Sequence, residues 1–251
     1  MPHPTYSSVR LIIENQYEVI MEINVIVLAA GMGNRMQHHQ NKQFIQLAGY
    51  PILYHTLMVF QKMKAIHNIF LVVREDEMAY VEKNILTLND FSKVKKLVKG
   101  GKERSDSVDN ALKSIKGEGM VLIHDGARPF VKEENILRLI QATLECDAAV
   151  LGVPVKDTIK SVDAHQLVIN TPDRSLLWAV QTPQAFDLKL IKQAYEKRYA
   201  HSKGFWDDAI LVEELMDHDV KMVEGSYENI KITTPSDLAY GEWIAKHLTN
   251  D

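Results

Sequence analysis

The sequence predicts an α/β protein: a mostly parallel sheet with helices on both faces and a projecting β-arm. Three observations support this. From Val25 to Val153, short apolar runs alternate with amphipathic stretches of helical period, the pattern of repeated strand–helix units. Glycine-bearing or polar turns follow the apolar runs at Ala29 to Lys42, Gly100 to Ser107, His124 to Pro129 and Pro154 to Thr158. In sheets of this class, ligands lie beyond those carboxyl ends. Finally, from Lys156 to Phe186 the helical period stops and short β-prone pieces flank a polar turn at Ser161 to His165.

Taken in order, Val25 to Leu28 is the first strand and runs into Ala29, Ala30, Gly31 and Gly33. Pro51 opens a helix to about Lys64, with Ile52, Leu53, Leu57 and Phe60 on one face. Ile69 to Val73 is a buried strand, 75–88 a helix and Lys96 to Val98 a strand. Ser105 to Ile115 is helical because Val108, Ala111, Leu112 and Ile115 recur at i, i+3, i+4 and i+7. Met120 to Ile123 is a strand, Lys132 to Glu145 an amphipathic helix and Ala148 to Val153 a strand.

The 156–186 arm is too thin to bury Leu167, Val168, Ile169, Leu176, Leu177 and Trp178 by itself, so a second copy of the chain is the expected cover. Helices near Asp187 to Tyr199 and Asp207 to Met216, short strands at Val220 to Val223 and Asn229 to Ile232, and a helix from Ser236 complete the chain. Residues 1–22 precede the first strand and read as an extension with little function, which leaves one domain over 23–251.

Composition narrows the function. The 251 residues carry a net charge of −4, which provides no broad basic surface for nucleic acid. Any anion must be held by a local site. The single cysteine, Cys146, excludes an intrachain disulfide, suits a reducing compartment and reads as a buried thiol rather than a nucleophile. No apolar run approaches the roughly 20 residues of a membrane span, and the first residues lack a signal-peptide pattern, so a cytoplasmic location is expected.

The chemistry concentrates at the turns. Small residues at Ala29, Ala30 and Gly31 let a phosphate approach backbone N–H groups, and Arg35 and Lys42 follow as cations. By itself this is equally an ordinary strand-to-loop turn with surface cations. It is neither a dinucleotide fingerprint, since Met36 stands where the third glycine belongs, nor a Walker loop, since no Gly-Lys-Ser/Thr occurs.

His124-Asp125-Gly-Ala-Arg128-Pro129 puts Asp125 at a strand's carboxyl end, as either a turn residue or a hard-oxygen ligand for the Mg²⁺ that accompanies a triphosphate. Arg128 reads as a structural partner within that loop. Gly100, Gly101 and Ser107 offer contacts to a flat base, with Ser105 as an alternative helix cap. Lys231 returns a cation on the Asn229 to Ile232 segment. No His-Glu-x-x-His, paired-cysteine or Gly-x-Ser-x-Gly motif supports a zinc or serine hydrolase, and His38-His39 reads as a loop rather than a metal site.

Together, LAAGMGNRM, NKQ, GGKERSDSV, HDGARPF, PVKDTIK, DRSLLWAVQTPQAF, DDA and NIKITTPSDL, in this order, closely resemble the 2-C-methyl-D-erythritol 4-phosphate cytidylyltransferase family from Ile23 onward. The resemblance implies a Rossmann-like homodimer with interlocked arms that joins CTP to a sugar-alcohol phosphate and releases diphosphate. It implies CTP contacts from Ala29, Ala30, Gly31, Gly101 and Ser107, transition-state stabilisation by Arg35 and Lys42, and a divalent cation on Asp125. Thr158 and Arg174 on the arm, with Lys231, would position the acceptor phosphate. Trp206 stands before the acidic pair where the family more commonly has threonine.

A ribitol 5-phosphate cytidylyltransferase shares the CTP loop, the aspartate and the QTPQ run. Gly126-Ala127 and Leu177-Trp178 look more like the methylerythritol family. A nucleotide-binding regulator without turnover would be expected to have lost at least one of Arg35, Lys42, Asp125 and Lys231, and all four are present. A glycosyltransferase would carry an Asp-x-Asp motif before the arm, which is missing.

Overall fold

A computed structural model of the chain describes residues 21–31, 42–200, 205 and 207–248. Residues 1–20 of the expected extension, together with Gly33, Arg35, His38, His39 and Trp206, lie outside the described residues, as does the side chain of Lys42.

The main sheet has seven strands: β1 Ile23–Leu28, β2 Asn68–Val73, β3 Val94–Lys99, β4 Met120–Asp125, β5 Ala148–Pro154, β6 Trp178–Asp187 and β7 Lys221–Glu224. Their spatial order is β7-β5-β6-β4-β1-β2-β3. All pairings are parallel except those of β6, which runs antiparallel between β4 and β5. The mostly parallel, Rossmann-like expectation is met.

Because β1 is hydrogen-bonded to β2 on one side and β4 on the other, the chain reverses its winding direction at β1. That reversal opens a crevice at the carboxyl ends of β1 and β4, where Leu28 pairs in register with Asp125.

The β1 side chains show how the layers form. Successive strand residues point to opposite faces. Val25 and Val27 pack into one core with Leu53, Leu57 and Phe60 of α1 (Ile52–Lys62) and Ile136, Leu139 and Ile140 of α3 (Glu133–Cys146). Ile26 and Leu28 pack into the other with α2 (Arg104–Ser114), α4 (Leu188–Arg198) and α5 (Ala209–Met216). A third cluster, Leu47, Ile52, Phe130, Ile232 and Ile244, seats α6 (Pro235–Leu248) against the Asp125 loop and the Lys231 segment. Those of these aliphatic or aromatic side chains that are fully buried each contribute about 1.5–3 kcal/mol relative to exposure.

Four local expectations change. Residues 75–88 form a 3₁₀ turn, a single α turn at Met78–Val81 and a π turn at Glu82–Leu86 rather than one helix. Both the N–H and the hydroxyl of Thr87 bond the Glu82 carbonyl, and Asn84 and Asn89 bond backbone carbonyls, so polar side chains compete with the regular ladder. Helix α2 starts at Arg104 with Glu103 and Asp106 in a reciprocal capping box, so Ser105 is not its cap. The Asn229 to Ile232 segment is irregular, not a strand, because its polar groups bond the Asp125 loop: Ile232 N–H to Ala127 and Asn229 C=O to Arg128. Lastly, Trp178–Asp187 of the 156–186 segment is the internal strand β6.

What projects is the remainder, a small antiparallel hairpin of Ser161–Val162 and Val168–Asn170 followed by a 3₁₀ turn at Arg174–Leu176. The Asp163 carboxylate accepts from the N–H groups of His165 and Leu167 and so shapes the expected polar turn. Leu167, Ile169 and Leu176 are 66%, 69% and 78% exposed.

Candidate active site

Three turns meet at the crevice. Ala29 is buried, Ala30 half-buried and Gly31 exposed, and among the described residues nothing fills the space a side chain would occupy on Gly31. The loop is held between its neighbours: Ala29 N–H donates to Val72, and Gly100 N–H to Val73. A Cβ on Gly100 would overlap that of Ala30, so the glycine is what lets the Gly100–Ser107 turn close against the Ala29–Gly31 turn. Gly126 N–H donates to Leu28 at 2.8 Å and ties the Asp125 loop to the same edge.

Gly101 and Ser107 contact each other: the Gly101 N–H donates to the Ser107 hydroxyl at 3.0 Å, and that hydroxyl donates to the Glu103 carbonyl at 3.1 Å. Ser107 is therefore a buried brace of that turn, with acceptor capacity left over.

Asp125 is the centre of charge. Its Oδ2 lies 2.8 Å from Lys231 Nζ and 3.6 Å from Arg128 Nε, and its Oδ1 lies 4.0 Å from Arg104 Nε. Burial alone would push the carboxyl up; the Lys231 ammonium and the Arg104 guanidinium outweigh it and hold the group well below the usual carboxylate range. Asp125 is an anion at neutral pH.

Its orientation comes from beneath. His124 is fully buried, with Nε2 3.0 Å from the Arg128 carbonyl and Nδ1 3.1 Å from the Thr182 hydroxyl. A carbonyl only accepts, so the proton sits on Nε2 and Thr182 donates to Nδ1. Thr182 in turn accepts from the Asp125 N–H at 3.0 Å. Burial holds the imidazole neutral, pushed down to about 4.

Arg104 is fixed from the opposite side. Its Nη1 and Nη2 donate to Asp208 at 2.9 and 2.7 Å, a bidentate pair that leaves Nε toward Asp125. The Asp208 side chain is wholly buried and also accepts from the Tyr195 hydroxyl at 2.6 Å. Gln184 of β6 accepts from the N–H groups of Asp208 and Ala209, satisfying donors at the start of α5. Burial opposes the Arg104 charge, but the Asp208 carboxylate raises its pKa well above the ordinary value.

Among the sequence-predicted residues, the structure thus gathers Ala29, Ala30, Gly31, Gly101, Ser107, Asp125 and Lys231 around one crevice. Thr158 and Arg174 are exposed on the projecting segment, where Arg174 Nη1 donates to the Lys156 carbonyl at 2.6 Å. Arg128 is a loop partner, as read from the sequence: its Nη1 donates to Asn229 at 2.7 Å. Sequence reasoning missed Arg104, Asp208, Thr182 and His124 as a supporting set. All four lie inside the quoted motifs, but their partners are separated by 104 and 58 positions in the chain, beyond any local spacing signal.

The crevice suits a divalent cation only of one kind. Among the described residues there is no group of three or more His, Cys, Asp or Glu that could hold a metal ion, so these residues build no all-protein cage. One ionised carboxylate completed by substrate phosphates and water is how Mg²⁺ is commonly held, and Asp125 fits that role.

An α/β fold whose crevice gathers fixed charges beside a small-residue turn, with neither a nucleophile nor a free imidazole there among the described residues, has the equipment of a nucleotidyltransferase. The sequence model of the 2-C-methyl-D-erythritol 4-phosphate cytidylyltransferases (IspD) matches residues 23–247, and the chain belongs to that family. It is 49% identical over 224 residues to the family's enzyme from Halalkalibacterium halodurans, covering 89% of this chain and 97% of the relative. With the one from Alkaliphilus metalliredigens it is 47% identical over 227 residues, 90% and 94% of the two chains. A solved 4-diphosphocytidyl-2C-methyl-D-erythritol synthase from Anaerococcus prevotii superposes with a TM-score of 0.80 at 36% identity, over 90% of this chain and 97% of that one.

Proposed function

We propose that this protein transfers the cytidylyl group of CTP to 2-C-methyl-D-erythritol 4-phosphate, forming 4-diphosphocytidyl-2-C-methyl-D-erythritol and diphosphate for isoprenoid precursor synthesis. The observation that carries this reading is the Asp125 carboxylate, held ionised among Lys231, Arg128 and Arg104 beside the Ala29–Gly31 turn. An acceptor phosphate oxygen attacks the α-phosphorus, the bond to the bridging oxygen breaks, and its electron pair leaves with diphosphate. The acceptor already carries a nucleophilic oxygen, so no general base is required. His124 fits that economy, since both ring nitrogens are engaged within the fold.

The work left to the protein is positioning and charge stabilisation. The Ala29–Gly31 turn admits the triphosphate, and Gly101 and Ser107 shape the base side. Arg35 and Lys42 supply the cations for the transition state. Lys231, with Thr158 and Arg174 from the arm, holds the acceptor phosphate. A divalent cation on Asp125, Mg²⁺ on the chemistry of its oxygen, would neutralise phosphate charge when bound. The exposed apolar arm supports a homodimer in which Thr158 and Arg174 serve the partner's crevice.

The test is to incubate the protein with CTP and Mg²⁺ and either 2-C-methyl-D-erythritol 4-phosphate or ribitol 5-phosphate, following diphosphate release. Turnover with the first acceptor is expected. Turnover confined to ribitol 5-phosphate would overturn the choice of acceptor, and none with either would overturn the activity.

A further inference from the structure

The Lys231 ammonium and the Asp125 carboxylate form a close ion pair at 2.8 Å, although the proposed function gives each a different partner. Resting on that function, we infer that Lys231 serves two anions in turn: it closes on Asp125 in the free protein and is released to the acceptor phosphate only when the metal–nucleotide complex takes up the carboxylate.

The surroundings make the exchange local. The backbone around Lys231 is pinned: Ile232 N–H donates to Ala127, Arg128 donates to the Asn229 carbonyl, and the N–H groups of Thr233 and Thr234 both donate to Asp237. Asn229 is further tied to Gln181 and the Thr182 carbonyl. Only the side chain is free to swing, and it is 39% exposed where Asp125 is 12%. Arg128 and Arg104 are fixed by other bonds, to Asn229 and Asp208, so neither can make the same move.

Charge sets the order. Among the described residues, the ion pairs of Lys231, Arg128 and Arg104 are made with Asp125 and Asp208, an excess of one positive charge. A bare divalent cation is repelled from such a site, whereas one carried by a triphosphate brings compensating negative charge. Once the carboxylate is shared with that cation, the ammonium at the same oxygen meets a like charge and loses its partner. The acceptor's phosphate monoester is the replacement. The two ligands therefore bind cooperatively, and by linkage each must raise the other's affinity by the same factor, in the usual range of roughly 5- to 150-fold.

The test measures binding, not turnover. Calorimetry is run with 2-C-methyl-D-erythritol 4-phosphate alone, with Mn²⁺ and the α,β-methylene analogue of CTP, which cannot release diphosphate, and with both. Wild type is expected to bind the sugar phosphate at least about 5-fold more tightly beside the Mn²⁺–nucleotide complex. Asp125→Ala, or Asp125→Asn if the first variant fails to fold, should bind the sugar phosphate tightly with no nucleotide, because the lysine is already free. In a double-mutant cycle this gain should vanish on a Lys231→Met background, which separates release of the lysine from simple loss of a negative charge. Lys231→Met alone should tighten Mn²⁺–nucleotide binding.

Independent binding of the two ligands in wild type, or a gain from Asp125→Ala that persists without Lys231, would overturn the exchange while leaving the cytidylyltransferase reading intact. Failure of both ligands to bind wild type would overturn the two together.

Discussion

His124 lies wholly buried beneath the crevice, bonded to the Arg128 carbonyl and the Thr182 hydroxyl. Its pKa is lowered in the fold to about 4, from an ordinary value near 6.5. Between those values the unfolded chain holds more protons than the folded one, so stability rises with pH across that window. The contribution is complete above about pH 6.5 and lost as pH falls toward 4, on the order of 3 kcal/mol in all. Urea denaturation at pH 7, 6 and 5 should show the decline, and His124→Asn should remove most of that slope. An unchanged slope would mean the acid sensitivity arises elsewhere. Asp208 bears a similar load, since the Arg104 and Tyr195 donors both converge on its buried carboxylate. Asp208→Asn should cost about 3 kcal/mol, the lower end for a broken buried pair because the Arg104 side chain is 34% exposed. A loss under 1 kcal/mol by denaturant titration would show that the fork is not held as described.

Among the elements, those with a strong period were legible and those defined by partners were not. The helical spacing of Val108, Ala111, Leu112 and Ile115 and the apolar run at Met120 to Ile123 placed α2 and β4 within a residue or two. Asp125 could be read from its position after a strand, because the carboxyl edge of an α/β sheet is a ligand edge whatever the ligand. The role of Trp178–Asp187 could not be read in the same way. A strand that inserts antiparallel between β4 and β5 has no local mark, and its first residues are exposed, like the arm beside it. Lys231 shows the same limit: a β-prone stretch became an irregular segment because Ala127 and Arg128 captured its backbone groups. The arm hairpin yields its own prediction, since Leu167, Ile169 and Leu176 stand exposed on a segment without a core. Leu176→Asp should shift the protein toward monomer in analytical ultracentrifugation while leaving its circular dichroism unchanged. A dimer as tight as wild type would remove the arm from the interface.

At the scale of the molecule, the proposed function divides the reaction between a braced crevice and an exposed arm. The crevice is braced by the His124–Thr182 and Arg104–Asp208 pairs, whereas Arg174 and Thr158 sit on the projecting segment. In the proposed two-fold dimer each arm would lie on its partner, so the site would be built from two chains. The most direct measurement mixes two crippled proteins, Asp125→Asn and Arg174→Ala, after subunit exchange has been verified with a mass-tagged chain. Each parent should be nearly inactive in CTP-dependent diphosphate release. Random pairing at equal concentrations makes half the dimers mixed, with one intact site each, so the mixture should recover about a quarter of wild-type activity. Confirmed exchange with no recovery would contradict a shared site and confine Arg174 to its own chain.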